Sequence, residues 1–138
     1  MATYTNFEDL EIWKSAALLA EKIYLISDEI PLKHDFGMKD QIRRSAASIS
    51  NNIAEGFEYG NNKDFIRFLR YAKGSTGEFR NQLILLFRAN KIEESFYNKM
   101  YNDAIVLGKM IGSFMKYLIE FEKQKELNTK VISVNRNF

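Results

Sequence analysis

Six cations stand out between Lys63 and Arg88: Lys63, Arg67, Arg70, Lys73, Arg80 and Arg88. At about 100° per helical residue they fall within an arc of about 140°, opposite a stripe made of Phe65, Leu69, Phe79 and Leu83. Arg43 and Arg44 add charge from an earlier segment. A helix that displays cations in a row can follow a backbone of phosphates, which is sequence-independent nucleic-acid binding. The competing reading is an ordinary solvated face. Tyr71 has the ring to stack on a base, though a tyrosine so placed more often packs at an interface.

A second set of residues is small and polar. Gln41, Ser45, Ser48, Asn52 and Glu55 share helical register beside an apolar stripe of Ile42, Ala46, Ile49 and Ile53. Such a strip lets another backbone approach and offers it hydrogen bonds, so this helix is expected in the middle of the assembly. Gly74-Ser75-Thr76-Gly77 has the composition of a phosphate loop without its glycine spacing or terminal Lys-Ser/Thr. It lies inside a continuous helical repeat, so Gly74 and Ser75 are expected to permit close packing against the small strip. Glu55 and Glu78 could serve as an acid–base pair, but the favoured reading is a buried, hydrogen-bonded Glu55 beside Gln41, Arg44 or Asn52.

Catalytic and metal chemistry find few groups. His34 is the single histidine and there is no cysteine, which disfavours Ser-His-Asp catalysis and a multi-His site and excludes thiolate centres and disulfides. The Glu-x-x-His pairs of di-iron bundles are missing. The chain is therefore expected to be no enzyme, with no metal and no cofactor.

Four helical segments must position these groups. Apolar periodicity predicts a first helix over Asp9–Glu29, capped by Asn6 or Thr5, with Leu10, Trp13, Ala17, Ala20 and Tyr24 beside a broader arc of Ile12, Ala16, Leu19, Ile23, Ile26 and Ile30. Pro31 breaks it. The second runs from Met38 to Glu58 and ends at Tyr59-Gly60-Asn61-Asn62. The third starts with Asn62 as its cap and reaches Ala89, carrying a seven-residue repeat through Phe65, Leu69, Ala72, Thr76, Phe79, Leu83 and Leu86. A fourth runs from Glu93 to Lys125 in the same rhythm through Met100, Ala104, Leu107, Ile111, Phe114, Leu118 and Phe121. Short connections imply an all-α, antiparallel up-down-up-down four-helix bundle, one domain over 1–125. Residues 126–138 would be a loose C-terminal tail, with a short strand or a docked segment at Val131, Ile132 and Val134 as the alternative.

At 138 residues with 46% apolar content the chain has material for one real core. No signal-peptide pattern and no apolar run of the roughly 20 residues needed to cross a bilayer is present, so a cytoplasmic, soluble protein is expected with no membrane contact. The formal charge of +2 is unevenly spread. Residues 1–37 hold 3 basic and 7 acidic groups (−4), residues 38–90 hold 9 and 5 (+4), and residues 91–138 hold 8 and 6 (+2). The excess sits on the central helices and is modest for a nucleic-acid binder. Leu83-Ile84-Leu85-Leu86-Phe87 is apolar around the whole helix. With Phe57, Tyr59 and Phe68 it exceeds what one seam needs, which points to a homo-oligomer.

Trp13 within Leu10-Glu11-Ile12-Trp13, Gln41-Ile42-Arg43-Arg44-Ser45-Ala46, Ser48-Ile49, Asn52-Ile53-Ala54-Glu55-Gly56, and Ala72-Lys73-Gly74-Ser75 with Glu78 resemble the four-helix-bundle family of 23S rRNA intervening-sequence proteins. The resemblance spans about Phe7 to Glu122, with Asp35 where the family often has Glu. Accessory variability proteins of diversity-generating retroelements are similar. The resemblance implies a pentameric bundle in which Gln41, Ser48, Asn52, Glu55, Gly56, Gly74, Ser75 and Glu78 form a structural polar motif. It also implies contact with RNA or DNA or, alternatively, a protein partner for which the bundle is a scaffold.

Overall fold

A computed structural model describes residues 4–136. It consists of α1 (Glu11–Ser27), α2 (Phe36–Glu58), α3 (Asn62–Arg88) and α4 (Glu94–Arg136), an up-down four-helix bundle in which each helix packs on the next. The α2–α3, α3–α4 and α1–α2 seams are extensive, while α1 and α4 touch least. Among the described residues no helix is long and apolar enough to cross a membrane.

The seven-residue repeat of α3 is buried at every position from Phe65 to Leu86, because α3 has a neighbour on each flank. On α4 the same rhythm buries Met100, Ala104, Leu107, Ile111 and Leu118. Ile42, Ala46, Ile49 and Ile53 complete the centre from α2. The arc expected on α1 is narrower than its apolar content: Ile12, Ala16, Leu19 and Ile23 are buried, whereas Tyr24 and Ile30 are exposed. Trp13 packs at the margin against Phe7, their ring centroids 5.3 Å apart.

The helix ends correct several expectations. A 3-10 turn at Phe7–Asp9 precedes α1, and Asn6 makes no side-chain cap. Asn61, not Asn62, caps α3, its Oδ1 accepting from the Asp64 N–H at 2.8 Å. Asn62 is thereby freed to donate to Glu122 of α4 at 2.7 Å. Gly60 (φ +76°) and Asn90 (φ +59°) supply the left-handed residues after α2 and α3.

The largest difference lies at the C-terminus. The expected end at Lys125 is passed without a break, and α4 continues to Arg136. No described residue after Leu118 is buried. Residues 120–136 contain neither Gly nor Pro, so nothing local stops the helix where the core ends. The loss of apolar rhythm marks the end of burial, not of helicity. Val131, Ile132 and Val134 accordingly lie on exposed helix instead of a strand, and 137–138 of the expected tail lie outside the described residues.

Candidate functional site

The row of cations on α3 is divided by its surroundings. Lys63, Arg70 and Arg88 are exposed and make no ion pair within 4 Å among the described residues. Arg67 is held locally: it donates to Asp64 at 3.1 Å and lies 4.7 Å from the Phe68 ring centroid. Asp64 is kept below the usual carboxylate range first by the Asn61 amide and then by this guanidinium, which is pushed up in turn. Arg43 is turned inward to join α2 to α1. Its Nε donates to Ser27 Oγ at 2.6 Å, its Nη2 to Asp28 at 2.9 Å and to the Tyr24 carbonyl at 3.3 Å. Arg44 is exposed and pairs with Asp40 of the preceding turn at 3.0 Å.

Lys73 and Arg80 point the other way around α3, toward α4. They line a groove of about 250 Å3 with Thr76, Gly77, Ala104, Ile105, Gly108 and Lys109. Arg80 sits half-buried with its guanidinium 5.7 Å from the Tyr101 ring centroid. Lys109 joins this set only through the packing of two helices, and the row on α3 gave no sign of it. The i, i+4 spacing of Ile105 and Lys109 around Gly108 is the one local signal.

The small polar strip lies on the rim of the α2–α3 seam, not at its centre. Ser45 and Gly56 turn toward the Ile42–Ile49–Ile53 line and are buried, while Ser48, against Ser75 of α3, and Asn52 are half-buried. Gln41 and Glu55 turn away and are exposed, which overturns the expected buried Glu55 network. Within the seam Ser45 donates to Gln82 Oε1, and the Ser48 and Ser75 hydroxyls are 2.9 Å apart. Asn52 donates to the Ser48 carbonyl of its own helix at 2.8 Å, so it serves no neighbouring backbone. Glu78 is exposed and accepts from Gln82 at 3.4 Å.

Of the glycines, Gly56 is the close-packed one: a Cβ there would lie 2.5 Å from the Phe68 Cβ and 3.1 Å from Phe65 Cδ1. Gly74 is exposed and a Cβ would meet nothing within 4 Å, so its expected role in helix approach is not seen; Ser75 alone fills it. The Leu83–Phe87 run is also mostly absorbed within one chain. Leu83 and Leu86 are in the core and only Leu85 is exposed, because α2 and α4 cover both flanks of α3. Apolar exposure concentrates elsewhere, at Leu25 (72%), Ile30 (78%) and Phe36 (73%) around the α1–α2 connection.

The chain matches the model of the 23S rRNA-intervening sequence protein over residues 8–113, a span that stops short of the outer half of α4. No curated protein matches it. Among solved structures it is similar to a protein of unknown function from the S23 ribosomal protein family of Bacteroides thetaiotaomicron VPI-5482. That likeness has 29% identity and a TM-score of 0.70, covering 76% of this chain and 95% of the other. With the bundle, the Asn52–Gly56 string against α3 and a family match over most of its length, the chain belongs to the 23S rRNA-intervening sequence protein family.

Proposed function

We propose that this protein is a non-enzymatic, self-associating bundle that holds RNA or DNA by its phosphates along the outward edge of α3. The observation that carries the reading is the exposed line of Lys63, Arg70 and Arg88, none of which has a carboxylate within 4 Å among the described residues. From Lys63 to Arg88 that line runs about 38 Å along the helix at 1.5 Å per residue. Contacts of this kind position a nucleic acid without reading its bases. The family name and that of the similar solved protein both refer to ribosomal RNA or the ribosome, which supports RNA as the first polymer to try.

Self-association rests on the apolar side chains at Leu25, Ile30 and Phe36, and the resemblance favours five copies. Light scattering with and without RNA measures both. Binding should weaken steeply as salt rises, and Lys63→Glu, Arg70→Glu and Arg88→Glu together should weaken it and flatten the salt slope while the assembly persists. Unchanged binding in that triple variant rejects the surface. The same apolar end favours a second reading, a scaffold for a protein partner, in which a stable complex forms and no salt-sensitive RNA retention is seen.

A further inference from the structure

We propose that the groove between α3 and α4 is a discrete site for one phosphate-type group, held by Lys73, Arg80 and Lys109. This goes beyond the outward edge of α3: it uses other side chains, and requires only that phosphate be the ligand.

The lining of the groove contains three cations and no carboxylate. None of the three forms an ion pair within 4 Å among the described residues. Elsewhere in the molecule a cation that turns into a seam finds an acid, as Arg43 finds Asp28 and Lys91 finds Asp35. Lys73 and Lys109 reach solvent and Arg80 is half-buried, so the groove gathers positive charge at the surface and its lining holds no carboxylate to offset it. An anion seated among the three would be attracted by all of them.

The floor is made for close approach. Gly77 of α3 and Gly108 of α4 line it, and a Cβ at Gly77 would meet nothing within 4 Å, so the space above it is open. Lys73 reaches across to α4, its Nζ 3.4 Å from where a Cβ at Gly112, one turn further along that helix, would stand. Thr76 directs its hydroxyl hydrogen to the Lys73 carbonyl of its own helix at 2.6 Å. Arg80 rests near the face of Tyr101, which limits its freedom before any ligand arrives. About 250 Å3 lies below the roughly 300–1,000 Å3 of pockets that enclose a whole small molecule. The groove thus takes a group, a phosphate or diphosphate, with the rest of its carrier outside.

Two sources share this chemistry, a free phosphate compound and the backbone of a nucleic acid. The test titrates the full chain, in phosphate-free buffer, with inorganic pyrophosphate and separately with a single-stranded RNA oligonucleotide. Gly77→Leu fills the groove without altering any charge, and its mid-helix position gains helix propensity. Wild type should bind pyrophosphate saturably, one per chain, and Gly77→Leu and Arg80→Gln should each weaken this about tenfold. The Lys63→Glu/Arg70→Glu/Arg88→Glu variant should retain the site. RNA affinity that falls with Gly77→Leu assigns the group to a nucleic-acid backbone, and RNA affinity that does not assigns it to a free phosphate compound. Equal pyrophosphate binding in wild type, Gly77→Leu and Arg80→Gln, or no saturable binding at all, overturns the proposal. The outward-edge reading survives that result, since its own triple variant is scored separately.

Discussion

Where α2 meets α3, small residues bring two helices into contact; where α3 meets α4, they leave a channel. In the first seam Gly56 sits under Phe68, and Ser45, Ser48, Ser75 and Gln82 join in side-chain hydrogen bonds. In the second, Gly77 lies beside three cations with open space above it, while Gly108 faces the Thr76 hydroxyl, which would stand 3.3 Å from a Cβ there. The difference lies in what surrounds each glycine. A glycine facing aromatic bulk is filled by it, while one facing long charged chains is left uncovered, because their heads remain in water. Small residues on a helix therefore mark a place of close approach without saying whether protein or ligand makes it.

The comparison can be broken most severely at Gly56. Gly56→Leu should destabilise the fold by about 3 kcal/mol, as overpacking does where the nearest atom is a β-carbon that cannot swing away. Denaturant unfolding measures this, and a loss under about 1 kcal/mol would mean the seam yields freely. Next comes the buried pair in the same seam: Gln82→Ala removes the cross-seam acceptor of Ser45, leaves it the longer bond to the Ile42 carbonyl at 3.3 Å, and should cost about 1 kcal/mol. By contrast, Gly77→Ala in the open channel should stabilise the protein by about 0.5–1 kcal/mol through helix propensity alone. A destabilised Gly77→Ala would show that the channel is closed in solution.

The smallest effect contrasts a satisfied cation with the unsatisfied ones. Asp28 is held below its ordinary range first by the hydrogen bond from Lys39, with Arg43 adding to it and partial desolvation opposing. A carboxyl with a depressed folded-state pKa contributes stability above its unfolded pKa and loses it as pH falls through the folded value, here below about pH 4. Asp28→Asn should lower the melting temperature slightly near neutrality and narrow its gap to wild type as pH drops through that window. A gap that does not change with pH would remove Asp28 as the cause. Arg80, without such a partner, offers no counterpart carboxyl whose loss would matter.

Much of the bundle was legible in residue order. The seven-residue repeats of α3 and the inner part of α4 correspond to buried side chains, since periodicity reports angular position on a helix and the core is an angular sector. The same logic failed on the polar strip. Gln41 and Glu55 share its register but stand farther round from the core line than Ser45, and one-dimensional spacing could not show where the seam's rim would fall. Leu83–Phe87 is too apolar for a single seam, and only the packing of α2 and α4 on both flanks of α3 accounts for it within one chain.

Chain order alone determined four helices, their connections at Pro31, Gly60 and Asn90, and which stripe of each turns inward, because those depend on local propensity and period. Tertiary structure decided which cations meet. It paired Arg43 with Asp28 and left Lys73 and Arg80 to face Lys109 across a groove. Charges 29 or more residues apart, as Arg80 and Lys109 are, acquire a shared field only when two helices are set side by side, and no spacing along one helix contains that distance.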